Sequence, residues 1–224
     1  MLRAIFNYFL AKFEKNYVIS KEVTNKQILA TLLSRMTMLI RGILRTRKTV
    51  FLGRGVRLRN VKTIKFGKAC TIEERVHVDG YAKQTVSFGN RVKIGANTKI
   101  SITSHLENFG TGLNIGHDSA IGEYSYLGCS GGVIIGNDVI MGQYVSFHSQ
   151  NHNYQDKTRK IREQGVKSEG IEIGNNIWVG AKATFLDGCK VSDNSIVASG
   201  AVVTEKFSSG VVIGGVPARV IKEL

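Results

Sequence analysis

An aliphatic or aromatic residue recurs at every sixth position through most of this chain, and glycine often follows it directly. The clearest run is unbroken over residues 173–208, where the letters divide into IGNNIW, VGAKAT, FLDGCK, VSDNSI, VASGAV and VTEKFS. Twenty such six-residue units can be framed between residues 52 and 208, and glycine takes the second position in eleven of them. The overall glycine frequency would give about two. A period this regular indicates a solenoid built from short repeats.

Between residues 66 and 172, extra residues interrupt the repeat after every third unit. Four follow the unit that begins at 78, nine follow the unit at 100, two follow the unit at 127, and twenty (residues 153–172) follow the unit at 147. A three-sided prism explains this spacing, because each unit then forms one side, three units form one coil, and every insertion leaves from one corner. The spacing predicts an all-β solenoid over residues 50–224, a parallel β-helix of about seven triangular coils.

The hexad assigns a place to each side chain. The first residue of a unit points its side chain into the prism, where successive coils stack about 4.8 Å apart. The fifth residue also faces inward and is mostly small or aliphatic, so Cys70 and Cys189 are expected to fill the core. Glycine at the second position, with Asn, Asp or Gly soon after it, is expected at corners that need a positive φ angle.

Residues 1–49 lack the hexad and form a basic, amphipathic N-terminal region. Two helices are predicted there, one over Leu2–Tyr17 and a second of roughly five turns that begins near Thr24. Residues 1–62 hold 14 Lys and Arg against two acidic residues, whereas residues 63–224 hold 17 against 15. Two interpretations stay open. The helices cap the first coil, or they lie on anionic lipid with basic side chains at the headgroups, namely Arg35, Arg41, Arg45, Arg47 and Lys48.

The composition and the apolar segments indicate where in the cell the protein is expected. The three cysteines show neither zinc-ligand spacing nor a disulfide framework, which favours a reducing compartment. We expect no cleaved signal peptide, and the most apolar stretch carries Arg35 and Arg41, which argues against a membrane-spanning helix. The expected location is the cytoplasm, with peripheral contact at the inner face of the plasma membrane through residues 1–49. No aromatic-interleaved basic patch accompanies the charge, so no nucleic-acid partner is expected.

One interruption is far longer than the others, and histidines precede it. The sequence FHSQNHNY over 147–154 opens the twenty-residue segment, with His148 in the second position of its unit and His152 in the last. His148 follows the inward-facing Phe147, so its side chain should point outward. Imidazole gains and loses a proton near neutral pH, which makes both histidines candidates for chemistry.

Several stretches together resemble a known enzyme superfamily. The repeated [Ile/Val/Leu]-Gly-x-x-[small]-x pattern, the long loop opening at NHNY, the run IGNNIWVGAKATFLDGCKVSDNSIVASGAVVTEKF and the ending GGVPARVI are similar to the left-handed β-helix, or hexapeptide-repeat, acyltransferases. The resemblance is to the maltose, galactoside and capsular-sugar O-acetyltransferases in particular, and it covers about residues 52–224. Residues 1–49 do not resemble the usual N-terminal segment of the maltose branch.

The resemblance implies a function and an assembly. It implies a left-handed solenoid, a homotrimer with active sites between subunits, and acetyl-CoA bound along the groove between neighbouring prisms. It further implies O-acetylation of a saccharide or glycan precursor by direct transfer, with His152 as the general base and no metal required. His148, Asn151 and Tyr154 are the expected acceptor-side residues, and His148 is the second choice as base. Four acidic residues are unranked candidates to orient His152: Asp156, Glu163, Glu169 and Glu172.

The resemblance also assigns residues of the last coils and the tail to acetyl-CoA, in two groups. The group along the pantetheine path is Trp178, Gly180, Ala181, Ser199 and Gly200. The group at the adenosine and phosphate end is Thr204, Lys206 and Arg219. Cationic side chains suit phosphate. Many relatives read Thr-Lys at this point, whereas Glu205 intervenes here, which weakens the assignment of Lys206.

Three other functions stay open from the sequence. A sugar N-acetyltransferase would use the same scaffold and a similar base, and its amine acceptor needs less activation than a hydroxyl. A zinc-binding trimer, like the carbonic anhydrases of this fold, would draw on His117, His148 and His152, although their spacing departs from that pattern. A non-catalytic scaffold protein is the third alternative, and the long loop beside an intact acetyl-CoA-type half argues against it.

Overall fold

The computed structural model describes residues 2–13, 19–103 and 105–224. Two helices come first in these residues, α1 over Leu2–Lys12 and α2 over Asn25–Thr46, and two 3₁₀ turns follow at Val61–Thr63 and Ile161–Glu163. The predicted first helix, Leu2–Tyr17, is present as far as Lys12, and its last residues fall within 14–18, outside the described residues. The rest of the regular structure is β-strand.

Within the described residues the strands form three sheets, which we name the first, second and third faces. The first face contains Phe51–Leu52, Thr71–Ile72, Lys93–Ile94, Ala120–Ile121, Ile140–Met141, Trp178–Val179, Ile196–Val197, Val211–Gly215 and Ala218–Glu223. The second face contains Arg57–Arg59, His77–Asp79, Lys99–Ser101, Tyr126–Gly128, Ser146–His148, Thr184–Leu186 and Val202–Val203. The third face contains Ile64–Phe66, Val86–Phe88, Leu113–Ile115, Val133–Ile135, Ile171–Ile173, Lys190–Val191 and Lys206–Phe207. A separate hairpin joins Asn151–His152 to Val166–Lys167.

Neighbouring strands within a face come from successive coils, so each face joins every third side along the chain. Pairing within the three faces is parallel, except that the final strand, Ala218–Glu223, runs antiparallel to Val211–Gly215. The registers align equivalent hexad positions, because Leu127 pairs with Phe147 and Phe147 pairs with Phe185. These three residues are buried, and the two phenyl rings stack with centroids 4.6 Å apart.

The first position of the hexad forms the core, as the sequence predicts. All twenty first-position residues are buried except Leu58, which is half-buried and packs against the same core. The fifth position is buried in most units, and it places Cys70 and Cys189 inside the prism. Burial raises the pKa of the Cys189 thiol to about 12 and also raises the pKa of Cys129. A buried thiol that stays protonated is a poor nucleophile.

Glycine at the second position has a different cause from the one predicted. Positive φ angles fall instead at the fourth position, on residues such as Asn97 and Tyr124, at the corners that flank the first face. The second-position glycine is needed because the next coil passes directly beside it. A Cβ atom on Gly122 would lie 2.2 Å from the Gly142 carbonyl oxygen, which the packed backbone cannot accommodate.

This close approach predicts a stability difference between two glycine-to-alanine changes. Gly122→Ala should lower the free energy of unfolding by roughly 3 kcal/mol, because the backbones of two coils must separate. Gly200→Ala is the matched control. Its φ is +72° with open space around it, so only a conformational cost of about 1 kcal/mol is expected. Urea unfolding of both variants measures the difference, and equal losses would contradict the close-approach explanation.

Helix α2 packs over the first coil. It begins after Thr24, near which the sequence predicts its start, and the Thr24 hydroxyl caps it by accepting a hydrogen bond from the third backbone N–H of the helix. Met38 packs in one cluster with Phe51 of the first coil. The missing side chain at Gly42 lets the two backbones meet, since a Cβ there would overlap the Val50 carbonyl oxygen. One side of α2 is therefore fixed against the prism.

Three of the basic residues expected at lipid headgroups face the prism instead. The guanidinium groups of Arg41 and Arg45 donate hydrogen bonds to backbone carbonyl oxygens of the first coil, the second of them at 2.7 Å. Arg35 lies 3.8 Å from a carboxylate oxygen of the second coil. The open edge of the first coil has carbonyl groups to satisfy, and these arginines satisfy two of them. Arg47 and Lys48, the other two, are exposed.

Candidate active site

The excursion after His152 is a compact loop closed by its own hydrogen bonds. Its ends pair as a short antiparallel hairpin, with His152 opposite Val166. Gln164 links the two sides of the loop through two hydrogen bonds. Its side-chain amide donates to the Asp156 backbone carbonyl oxygen at 2.8 Å, and the Gln164 backbone carbonyl accepts from the Asn153 side-chain amide at 3.0 Å. The loop leaves from the corner between the second and third faces, which is the insertion corner that the sequence predicts.

Asp187 fixes the far end of the loop, and the sequence analysis missed it. Its carboxylate accepts hydrogen bonds from the backbone N–H groups of Glu169 and Gly170 at 2.8 to 3.0 Å. Gly170 has a φ of +91°, which glycine adopts without strain and which turns the chain back onto the third face. The available signal is the unit FLDGCK, where Leu186 replaces the second-position glycine and an acidic residue follows it.

His152 is exposed at the base of this loop. Across residues 2–13, 19–103 and 105–224, no hydrogen bond or ion pair reaches its imidazole ring. Both ring nitrogens are therefore open to a substrate or to another subunit, which is the placement that a general base requires.

None of the four acidic candidates orients His152 within the described chain. Asp156 accepts a hydrogen bond from the Thr158 hydroxyl at 2.6 Å, which lowers the pKa of the carboxyl group. Glu172 lies 2.7 Å from the Lys190 ammonium and, through this hydrogen bond, raises the pKa of that lysine. The other two pair with lysines of the loop at 3.9 and 4.0 Å: Glu163 and Glu169. Within the described residues, each of the four carboxylates has another partner, and none of them pairs with the His152 ring.

The residues predicted on the acceptor side share the corner of His152. His148 ends a strand of the second face and points outward, as the hexad predicts. Its ring packs beside that of Tyr126 on the preceding coil, with centroids 5.7 Å apart, a contact the sequence analysis missed. Asn151 and Tyr154 are exposed next to His152, and Tyr154 has 67% of its surface open.

A groove of about 490 Å³ runs along the third face, beside residues 169–172, where the loop rejoins that face. Its lining is mixed: Asn114 and Ile134 contribute one polar and one apolar side chain, and the ion pair of Glu172 with Lys190 crosses it. Lys206, predicted at the phosphate end of acetyl-CoA, also lines this groove. Polar groups on both sides of such a groove can bind a ligand rich in hydroxyls.

The five residues predicted along the pantetheine path share another corner, between the first and second faces. They are Trp178, Gly180, Ala181, Ser199 and Gly200. A Cβ on Gly180 would lie 2.4 Å from the Ser199 nitrogen, so the two residues are stacked on successive coils. The Gly200 N–H donates to the Ala181 carbonyl oxygen at 2.9 Å. Trp178, 57% exposed, stands on the first-face side of the corner. The structure brings these five residues together.

The three residues predicted at the phosphate end are more scattered. Thr204 is exposed at the insertion corner, and Lys206 lies on the third face in register with Lys190. Arg219 lies on the final strand, where its guanidinium is 2.6 Å from the Glu205 carboxylate. Glu205, the residue that departs from the family pattern, is therefore the partner of Arg219.

The three histidines of the zinc alternative do not converge within one chain. His117 lies at the corner between the third and first faces, where its Nδ1 accepts a hydrogen bond from the Asn90 N–H at 2.9 Å. His148 and His152 lie at or near a different corner. In the described part of the chain, no three His, Cys, Asp or Glu side chains form a group that could hold a metal ion.

The three faces of short parallel strands match the fold of solved hexapeptide-repeat acetyltransferases. A hexapeptide-repeat acetyltransferase from Vibrio cholerae O1 biovar eltor, solved with acetyl-CoA, matches with a TM-score of 0.53 at 22% identity over 61% of this chain and 70% of that chain. A mutant of AntD, an N-acyltransferase from Bacillus cereus solved with dTDP-4-amino-4,6-dideoxyglucose and coenzyme A, matches with a TM-score of 0.53 at 16% identity. The second match covers 79% of this chain and 81% of AntD.

The curated proteins similar to this chain confirm the resemblance seen in the sequence. Galactoside O-acetyltransferase of Escherichia coli (strain K12) is 36% identical over 92 residues, 41% of this chain and 44% of that protein. WbbJ of the same organism, named for O-acetyl transfer in lipopolysaccharide biosynthesis, is 26% identical over 190 residues, 81% of this chain and 88% of that protein. No protein-family model matches the chain.

The extent of these matches differs. The chain spans 44% of the galactoside O-acetyltransferase and 51% of Rv3034c of Mycobacterium tuberculosis (strain ATCC 25618 / H37Rv), a protein named for acetyl transfer that is 27% identical over 177 residues. It spans about half the length of these two relatives and most of WbbJ.

Proposed function

We propose that this protein is an acetyl-CoA-dependent O-acetyltransferase that acetylates a hydroxyl of a saccharide or glycan precursor. The observation that carries the proposal is the exposed His152 at the base of a compact loop, on a scaffold whose relatives are acetyltransferases. We also propose that the solenoid is left-handed with about seven coils and assembles as a homotrimer.

His152 serves as the general base of the proposed reaction. A saccharide hydroxyl is a weak nucleophile, and neutral imidazole takes its proton as the oxygen attacks the thioester carbonyl of acetyl-CoA. The carbon–sulfur bond then breaks, the acetyl group stays on the sugar oxygen as an ester, and the proton passes to the leaving coenzyme A thiolate. Direct transfer agrees with the cysteines, since Cys70, Cys129 and Cys189 are all buried.

The two parts of the proposed site lie at different corners of one prism, which supports a site shared between subunits. His152 leaves from the corner between the second and third faces, whereas Gly180 and Ser199 line the corner between the first and second faces. One side of the prism, roughly 15 Å of extended chain, separates them. A neighbouring prism set against the first brings the histidine of one subunit to the glycine-lined corner of the other.

That glycine-lined corner has the properties that acetyl-CoA requires. The small residues Gly180, Ala181 and Gly200 let a slender pantetheine arm approach the backbone closely. Trp178 adds an exposed aromatic surface beside it. At the end of the prism, Arg219 is a guanidinium suited to phosphate once Glu205 releases it.

The ion pair at the end of the prism predicts a change in acetyl-CoA affinity. Glu205→Gln should tighten acetyl-CoA binding about two- to fivefold, because an exposed pair of this kind is worth a fraction of a kcal/mol up to about 1 kcal/mol. Isothermal titration calorimetry measures the dissociation constant. Glu223→Gln, which changes an exposed acidic residue of the same final strand, is the control and should leave affinity unchanged. Weaker binding by Glu205→Gln would contradict the assignment of Arg219.

The loop 153–172 is the proposed selector of the acceptor. It carries five basic and four acidic residues, and it borders the mixed groove on the third face. Side chains of both kinds can form hydrogen bonds to the many hydroxyl groups of a saccharide. Removal of residues 157–162, the tip of the loop, should therefore change which saccharides are accepted more than it changes acetyl-CoA binding.

Product analysis tests the proposal and separates it from its alternatives. The wild-type protein is incubated with acetyl-CoA and a series of saccharides and amino sugars, and the products are identified by mass spectrometry before and after mild alkali. An alkali-labile acetyl group is an ester and supports O-acetylation. An acetyl group that survives alkali is an amide and would identify the protein as a sugar N-acetyltransferase instead. No acetylated product from any acceptor would contradict both and favour the zinc or scaffold alternatives.

A further inference from the structure

Helix α2 carries apolar side chains on the side that faces away from the prism. The exposed members recur at spacings of three and four, and we call them the α2 stripe: Leu29, Leu33, Met36, Ile40, Ile43 and Leu44. Leu33, Ile40 and Leu44 expose 59%, 53% and 78% of their surface. Positions three and four apart lie on one side of a helix, so the stripe is continuous over about 22 Å.

Within the described residues, nothing covers this stripe. The opposite side of α2 is the buried one, with Ile28, Met38 and Gly42 turned toward the rest of the chain. Helix α1 meets α2 near its start, where Phe6 and Ile28 form a small buried cluster. Six large apolar side chains on one exposed line form a patch of the kind that marks an interaction surface.

Cations stand at both ends of the stripe. Lys26 is seven residues before Leu33, two turns away on the same line of the helix, and Arg47 is the C-cap residue directly after the last turn. Both are exposed, and Lys48 is exposed beside Arg47. No Asp or Glu occurs in residues 23–72. The apolar line is therefore framed by positive charge without a negative residue nearby in the sequence.

These positive charges distinguish two possible binding partners of the α2 stripe, a second copy of the chain and an anionic lipid surface. The spacing of three and four also suits a coiled coil with a second copy of the chain. Such pairing would bring Lys26 and Arg47 of one copy toward the cations of another, in a region with 14 basic and two acidic residues over 1–62. An anionic lipid surface instead accepts the apolar side chains below its headgroups and pairs its phosphates with the cations.

We infer that α2 lies flat on an anionic phospholipid surface, with the α2 stripe inserted and Lys26, Arg47 and Lys48 at the headgroups. By length and composition α2 could also cross a membrane. However, Arg41 and Arg45 hold its other side against the first coil through hydrogen bonds to backbone carbonyl oxygens. A helix whose second half is attached to a water-facing prism is suited to the membrane surface. This inference stands independently of acetyl transfer.

Vesicle cosedimentation of the full chain tests the inference. The probes are vesicles of phosphatidylcholine alone and vesicles that also contain phosphatidylglycerol. Wild type should bind the anionic vesicles preferentially, and Leu33→Gln with Ile40→Gln should lower the partition coefficient at least about tenfold. Lys26→Gln with Arg47→Gln should weaken binding and reduce its salt dependence. Leu106→Gln is the matched control, because Leu106 is 84% exposed in a loop remote from α2, and it should bind like wild type.

Two further measurements keep the outcome unambiguous. Circular dichroism melting shows whether each variant folds, and Leu44→Gln, at the most exposed position of the stripe, replaces the double variant if that variant unfolds. Light scattering reports the oligomeric state of the same samples. Failure of wild type to bind anionic vesicles, or equal binding by the stripe variant, overturns the inference. Loss of an oligomer in the stripe variant, with no vesicle binding by wild type, assigns the stripe to a second copy instead.

Discussion

Replacing His152 with alanine is expected to lower kcat/KM for acetyl transfer by about 10²- to 10⁴-fold, the usual contribution of a general base. The residues next to it cannot take over the role, because Asn151 is an amide and Tyr154 a phenol, neither of which is a base near neutral pH. The His152 ring is exposed and has no hydrogen bond among the described residues, so its removal should leave the melting temperature unchanged. Steady-state kinetics and thermal melting of the variant provide both readouts.

Two other histidine variants complete that experiment. His105→Ala is the matched control, since His105 is an exposed histidine at the base of a different insertion, and its Nδ1 lies 3.6 Å from a carboxylate oxygen of Glu107. It should keep wild-type kinetics. His148→Ala tests the second choice of base, and it should raise KM for the acceptor more than it lowers kcat. Near-wild-type kinetics in His152→Ala with a collapse in His148→Ala would move the general base to the second face.

Mixed trimers of two inactive variants are expected to have about one third of the wild-type activity if each active site joins two subunits of a trimer. The first variant, His152→Ala, lacks the base, and the second, Ala181→Arg, fills the glycine-lined corner. In mixed trimers a site is intact only where a subunit with His152 faces one with an unblocked corner. Every mixed trimer holds two subunits of one variant and one of the other, so one of its three sites, about one third, is complete.

The complementation is measured on mixed trimers that carry a different affinity tag on each variant. Tandem purification removes the uniform trimers, and each variant alone provides the background, which should be close to zero. Recovered activity in the mixed fraction supports a site between subunits. Mixed trimers without activity would show that the two corners do not serve a common site, and the assignment of acetyl-CoA to the corner of Gly180 and Ser199 would fail.

The periodic part of this structure can be predicted from the sequence, because the hexad is a local pattern with a direct physical cause. An inward-facing residue must be apolar once per side, so the first positions give the core correctly, with half-buried Leu58 as the exception. The insertions give the corner of the loop for the same reason, since a coil can be interrupted only where the chain turns. The N-cap Thr24 is likewise a local signal.

The structural reason for the second-position glycines could not be predicted from the sequence, because it depends on contacts between coils. A glycine in the sequence indicates either a positive φ or a close approach, and the sequence does not distinguish these causes. Gly122 proves to be a close approach to Gly142 on the next coil, twenty residues away. The positive φ angles fall at the fourth position, in part on Asn and Asp residues such as Asn97, as expected, but also on residues such as Tyr124, which the sequence did not indicate.

Some features of the candidate site can likewise be predicted from the sequence, whereas others depend on contacts that it does not reveal. The hexad places His152 at the base of its loop, and the family resemblance groups Gly180 with Ser199. The sequence does not predict that the Asp187 carboxylate binds the end of the loop, or that Glu205 forms an ion pair with Arg219. These contacts depend on the path of the loop and the tail, which the repeat does not determine.

The most direct test of the central claim is the release of free thiol from acetyl-CoA by the wild-type protein. It is measured across sugars, nucleotide sugars, oligosaccharides and amino sugars, with acetyl-CoA binding followed separately by calorimetry. We predict measurable acetyl-CoA binding and thiol release that depends on a saccharide acceptor. Absence of binding, together with no release above background for any acceptor, would contradict the proposal that this solenoid is an acetyltransferase.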